Sequence, residues 1–262
     1  MKTPQQVLTA ALKDLQVHGY DNPKRVEKWV NELTIAIERT GINNDDALKQ
    51  SVKQALTPKM NRASERAMRS MGISRFTKAN LSPRLYNELD RRILASAALI
   101  KLNRTAAIND TLQRFIGWST SIPAGGAKIA DKTDVKNDIK KSLSQLSFIE
   151  RRVTIDQTSK LIANINNIVA TDGGAIAVEW NSNWKQRNYN YRDTHKALDK
   201  KVFIIKDSWA DKEKLVKGDY YENLPDQFGQ AIFCQCYGTY IFELNDIPEK
   251  MLTKKGQEYL KS

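Results

Sequence analysis

At 262 residues, 40% of them apolar, the chain is long enough to bury one large core or two modest ones. No apolar run approaches the ~20 residues needed to cross a bilayer, and residues 1–6 lack the apolar core of a signal peptide. A net charge of +12 favours an acidic partner, either nucleic acid or an acidic protein face.

The predicted elements begin with helices that share one starting device. Thr3-Pro4, Asn22-Pro23, Thr57-Pro58 and Ser82-Pro83 each set a capping side chain before a proline. Proline at the first helical position has no amide hydrogen to waste, and the residue before it can satisfy a free one. His18-Gly19, Thr40-Gly41 and Met71-Gly72 supply matching stops. Between them apolar residues recur at helical spacing: Val7, Leu8, Ala11, Leu12 and Leu15, then Val26, Trp29, Val30, Leu33 and Ile37, then Leu85, Leu89, Ile93, Ala97 and Ile100. Five or six helices are expected, with Trp29 in their core, forming a basic α-helical domain over residues 1–117.

Ser-Thr-Ser-Ile-Pro-Ala-Gly-Gly then breaks the pattern, and residues 118–133 read as a linker. Its Gly125-Gly126 lacks the spacing and the Lys-Ser/Thr end of a phosphate loop. A long helix is expected over 134–170, carrying Ile139, Leu143, Leu146, Ile149, Val153, Leu161, Ile165 and Ile168. It would reach roughly 55 Å, long enough to bend near Ser147. Asp172-Gly173-Gly174 stops it, strands follow at 175–180, 202–205 and 232–243, and a closing helix spans 248–261. The fold class is α+β: a mainly α-helical N-terminal domain, a long connecting helix, and a small β-sheet-containing C-terminal domain within 134–262.

The charge is uneven. Residues 1–130 carry 21 Lys+Arg against 11 Asp+Glu, and residues 131–262 carry 21 against 19. The densest stretch, 53–104, holds 12 basic and 3 acidic residues. Most are arginine, whose planar fork suits phosphate and carboxylate alike. Arg62, Arg66 and Arg69 share one helix face at i, i+4 and i+7. With Arg84, Arg91 and Arg92 they are the candidate partner-binding residues.

The side chains best able to do chemistry cluster between residues 180 and 240. His195 is one of two histidines, and Cys234 and Cys236 are the only cysteines. No disulfide is expected between them, and a reduced, cytoplasmic site of synthesis fits. His195 reads first as a residue that orients a turn by bonding a carbonyl or Asp199. Arg192 and Asp199 read as an ion pair or cap around it, and Trp180, Leu198 and Phe203 as core. Trp184 and Tyr189, near Lys185 and Arg187, have the alternative of stacking on a base. His195, Cys234 and Cys236 are also candidate metal ligands. Structural zinc takes four protein ligands; three obvious donors imply no required cofactor, with zinc the metal if one is held. An enzyme reading makes Cys234 a nucleophile and His195 its base. No oxyanion turn or third orienting residue stands out, so no catalytic residue is expected.

This stretch resembles the C-terminal domain of the phage Mu F-like minor head proteins, a head morphogenesis family. There a Trp-bearing strand leads to Arg-x-x-His-x-x-Leu-Asp-Gly-x-Val/Phe and, after a loop with proline, to Cys-x-Cys. Trp180, Arg192, His195, Leu198, Asp199, Val202, Phe203, Cys234 and Cys236 fit that order and approximate spacing. Lys200 stands at the glycine position and Gln235 at an arginine position. The likeness begins with a helix over 151–170 and runs through the rest of the chain.

The resemblance implies a minor capsid protein of a tailed bacteriophage, made in the host cytoplasm and held in few copies inside the virion near the portal. It implies a role in head assembly and in DNA packaging or ejection. The implied partners are the portal protein and double-stranded DNA, with no membrane, no small-molecule substrate and no catalysis. Trp180, Arg192, His195, Leu198, Asp199 and Phe203 would form its structural motif. The alternatives are a thiol-dependent hydrolase or effector enzyme using Cys234 and His195, and a plain nucleic-acid-binding protein.

Overall fold

The computed structural model describes residues 2–18, 22–39, 44–74, 77–121 and 132–261. The fold is α+β, helical through its N-terminal half with a small antiparallel sheet near the C-terminus. Among the described residues, no helix is long and apolar enough to cross a membrane.

Helices α1 (Pro4–His18) and α2 (Pro23–Glu38) start as their sequences dictate. Thr3 Oγ1 accepts from the Gln6 amide at 3.2 Å while Gln6 Oε1 accepts from the Thr3 amide at 2.8 Å, a reciprocal cap. Asn22 caps the Lys24 amide at 3.1 Å. The other two proline signals did not start helices. Pro58 lies inside α3 (Asp45–Ser70) and Pro83 inside α4 (Thr77–Ser121). Proline breaks only the bond its own amide would make, and each long helix keeps its remaining bonds and packing. Thr57 turns its hydroxyl back to the Lys53 carbonyl at 2.8 Å instead of capping a new helix. Four helices therefore precede residue 122 among the described residues, where five or six were expected.

The stop after α3 is as read: Gly72 takes φ +66°, and the Ile73 amide reaches the Met68 carbonyl at 2.8 Å. Gly19, Thr40, Gly41 and the Gly125-Gly126 pair lie outside the described residues. Residues 118–121 of the expected linker are the last turn of α4. Helix α5 (Lys132–Asp172) runs through Ser147 as one element. Gly174 closes it at φ +86°, with the Ala175 amide on the Ala170 carbonyl at 3.0 Å.

Grouped by contacts, the chain divides differently from the expected halves. One unit comprises Met1–Val52 and Ala95–Thr154, the other Lys53–Leu94 and Ile155–Ser262. The division falls within α3, α4 and α5 because helices of 26 to 45 residues outrun the width of one small core.

In the first unit, Val7, Leu8, Leu12 and Leu15 of α1 bury against Trp29, Leu33 and Ile37 of α2, with Phe115 and Ile139 completing the core. Asp14 binds the Trp29 indole N–H at 2.8 Å and Arg25 at 3.1 Å, so the one polar edge of Trp29 is satisfied. The indole bond, then Arg25, holds the Asp14 carboxyl below its usual range.

The second unit carries the sheet. Strand β1 (Ala177–Asn181) lies between β2 (Val202–Ile204) and β3 (Tyr237–Ile241), antiparallel to both, in the order β2-β1-β3. Val178 pairs with Phe203 on one side and Tyr240 on the other. Short helices α6 (Asp193–Lys196) and α7 (Trp209–Lys212) lie in the connections between strands, and α8 (Lys254–Tyr259) follows the last strand. The third strand is shorter than the expected 232–243, and the closing helix is only α8 after a 3-10 turn at Glu249–Met251. Val178, Trp180, Phe203, Tyr221, Phe228, Cys234 and Cys236 form one buried cluster.

Candidate functional site

The chain brings His195, Cys234 and Cys236 together although about forty residues separate the imidazole from the sulfurs. His195 Nδ1 lies 3.6 Å from Cys234 Sγ and 3.5 Å from Cys236 Sγ. All three residues are buried. The cysteines sit before β3, not within a strand. Phe233 takes φ +58°, which turns the chain just ahead of them. In extended backbone, residues i and i+2 point to the same face, and here that face meets the imidazole. Both cysteines are free thiols.

Side chains from distant segments hold this loop by its backbone. Asp156 of α5, itself buried, accepts from the Phe233 amide at 2.6 Å and pairs with Lys160 at 3.1 Å. Arg192 donates to the Ile232 carbonyl at 2.9 Å. Tyr189 Oη accepts from the Gln235 amide at 3.1 Å, and Asn183 donates to the Gln235 carbonyl at 3.2 Å. Gly229 lets the preceding turn lie on α5: it takes φ +73°, and a Cβ there would stand 3.2 Å from Lys160 Cα.

Two expected pairings are replaced. His195 turns its second nitrogen to Asp226, not to Asp199, with Nε2 3.4 Å from Oδ2. Arg192 and Asp199 do not pair with each other. Asp199 accepts from the Ser182 amide at 2.8 Å and the Trp184 indole at 2.9 Å, and those bonds depress its pKa. It braces the segment after β1 while Arg192 braces the cysteine loop. Trp184 is thereby occupied, with Lys196 over its ring at 4.6 Å and Tyr191 edge-on. Trp180 and Phe203 are core as expected, Leu198 packs beside them, and Trp180 meets the His195 ring edge-on at 5.4 Å. Asp226 and Asp156 were missed. Asp226 follows Pro225, a turn signal without chemical content, and Asp156 is one polar residue on a helix.

The pair of thiols shares a proton unequally. Cys234 is pulled down to about 5, first by the hydrogen bond from the Cys236 thiol, against burial, then by the Cys236 and Gly229 amides and His195. Cys236 is pushed up beyond the usual thiol range, by that same bond and by burial. One thiolate beside one thiol is the state this geometry favours.

The three donor atoms also fit a metal ion, lying within 4.8 Å of one another. Tetrahedral zinc with ordinary bond lengths sets sulfur and nitrogen about 3.6 Å apart, the spacing seen between His195 and both cysteines. Asp226 behind the imidazole would orient it, as carboxylates do behind metal-bound histidines. A bound ion would fix both thiolates and act as a Lewis acid at its remaining position.

A cavity of about 270 Å³ opens onto Cys234 and Cys236, lined also by Ser159, Ala163 and Phe228. A groove of about 420 Å³ shares Ile162, Asn166, Tyr237 and Gly238 with it and is lined by Lys59, Arg62 and Arg66 of α3. Arg62 and Arg66 are exposed and have no carboxylate partner among the described residues. Arg69 is exposed and donates to the Glu65 carbonyl at 3.3 Å. The other three candidate arginines are engaged internally. Arg84 pairs with Asp172; Arg91 and Arg92 pair with the buried Glu88, and Arg92 also reaches Gln157. Only 14% of the Arg92 side chain is exposed, which removes it from any docking face. Compared with family models, with curated proteins and with solved structures, the chain matches none.

Proposed function

We propose that this protein is a minor head protein of a tailed bacteriophage, similar to the Mu F-like family. It acts in head assembly and in DNA packaging or ejection from a position near the portal. The observation that carries the reading is the convergence of Trp180, His195, Cys234 and Cys236, the residues of the resemblance, in one buried cluster. Lys200 adds to it. It stands where the family has glycine and takes φ +63°, the backbone region glycine enters without strain. In this reading the dithiol–imidazole centre ties the cysteine loop to α6, with or without zinc, and the face of α3 bearing Arg62, Arg66 and Arg69 meets the partner.

Binding of purified portal protein and of duplex DNA to the intact chain tests this. The triple variant R62Q/R66Q/R69Q should keep its melting temperature, since exposed arginines contribute within about 0.5 kcal/mol each. It should lose affinity for one of the two partners in a salt-dependent way. Unchanged affinity for both would remove that face from the function.

The thiol-dependent enzyme remains the second reading, favoured by one observation. Cys234, His195 and Asp226 form a thiol–imidazole–carboxylate chain. Under it, Cys234→Ser abolishes biological activity with the fold intact. Under the first, C234S supports particle assembly.

A further inference from the structure

We propose that the groove beside the thiol pocket receives an extended, acidic peptide segment of a partner protein, added as a strand along β3. The proposal rests on the protein-partner arm of the function above and names what that partner presents.

Three features of the groove converge on this occupant. Its α3 wall is cationic: Lys59, Arg62 and Arg66 line it, and the two arginines, free of carboxylates among the described residues, are open to carboxylates from outside. Its lining is also partly apolar, from Ala63 and Ala67 of α3, Met71 and Ile162. Its third side is Tyr237 and Gly238, the first two residues of β3.

Among the described residues strand β3 is an edge, paired with β1 alone. In an antiparallel pair alternate residues turn their N–H and C=O away from the partner strand. One of Tyr237 and Gly238 therefore offers both groups to a new strand. Such an edge recruits extended peptides through main-chain bonds, and side-chain contacts then select among them. Here selection falls to the arginines, whose forks bind carboxylates bidentately. Tyr237, 53% exposed, is left to cover an apolar side chain of the guest.

Nucleic acid fits the same charge less well. Single-strand grooves stack successive bases on several aromatic rings, and among the described residues Tyr237 is the sole aromatic lining this one. A duplex gains nothing from a free strand edge.

The test uses the full chain and a fluorescent twelve-residue peptide of alternating Glu and Val, read by anisotropy. Binding is expected, at least ten-fold weaker for R62Q/R66Q and for the same peptide N-methylated at every residue. N-methylation removes the strand bonds while leaving the protein untouched. A lysine-for-glutamate peptide should not bind. Equal affinity for the N-methylated probe would overturn strand addition, and unchanged affinity of R62Q/R66Q would overturn the carboxylate contacts. A twelve-nucleotide single strand or a twenty-base-pair duplex binding where the peptide does not would reassign the groove to nucleic acid. None of these results bears on whether the protein is found in virions, which is measured separately.

Discussion

In the α1–α2 pair, Val7, Leu8, Leu12 and Leu15 face Trp29, Leu33 and Ile37, and local spacing alone places every one of them. The segment from Gly229 to Cys236 has no such period. It is held by Asp156, Arg192, Tyr189 and Asn183, which bond its backbone from up to 77 residues away. The first region is secured by apolar area, which is additive and tolerant of small shifts. The second depends on a few directional bonds to the backbone around the two cysteines. A lesion in the first should therefore cost stability, and one in the second should cost geometry and thiol chemistry.

The largest expected effect breaks the first region. Leu33→Ala empties a buried site and should lower stability by about 2–5 kcal/mol. Thermal or urea unfolding measures this, and thiol reactivity at low temperature should stay as in the parent.

Asp156→Ala strikes the second region. It strands the Phe233 amide and leaves Lys160 unpaired, for a loss of about 1.5–3 kcal/mol typical of charged hydrogen bonds. Here thiol reactivity should change along with stability, because Phe233 aims the cysteines.

Reactivity against pH sharpens the comparison. A thiol lowered to about 5 keeps its thiolate down to that pH, so alkylation of metal-free protein should stay level from pH 8 to 6 and halve near 5. At pH 6 it holds roughly 300-fold more thiolate than an ordinary thiol near 8.5. Lower intrinsic nucleophilicity offsets roughly 30-fold of that, leaving a rate gain of about ten-fold. Cys236→Ala removes the hydrogen-bond donor and should move the midpoint upward. A parent profile rising only above pH 8 would contradict the shared proton.

The smallest effect concerns Lys200. Replacing it with glycine relieves a left-handed backbone, worth about 1 kcal/mol. The same change gives up an exposed contact to Glu179 and a partly buried one to Asn181. The net change should be within about 1 kcal/mol, with thiol reactivity unaltered.

The same contrast explains what was legible in the sequence. Periodicity and capping identified α1, α2, the stop at Gly72 and the length of α5, because those signals lie within a turn or two of the residue they control. Thr57-Pro58 and Ser82-Pro83 misled, since a proline at a helix start and one inside a long packed helix look alike locally. Of the site, the approach of His195 to one of the two cysteines was expected, and the structure brings it to both. Asp226 and Asp156 were not, because one polar residue that bonds 31 or 77 positions away leaves no spacing to recognise. The arginines failed in the opposite direction. A charge count cannot separate Arg62 and Arg66, which face solvent, from Arg92, which Glu88 and Gln157 hold inward.

The central claim, a portal-proximal minor head protein, is tested most directly by the protein content of purified phage particles. Under that proposal the chain is encoded by a tailed phage, whose purified particles should contain it at a few copies each, counted against the portal protein by quantitative mass spectrometry. Its complete absence from particles, in cells that express it during assembly, would contradict the account.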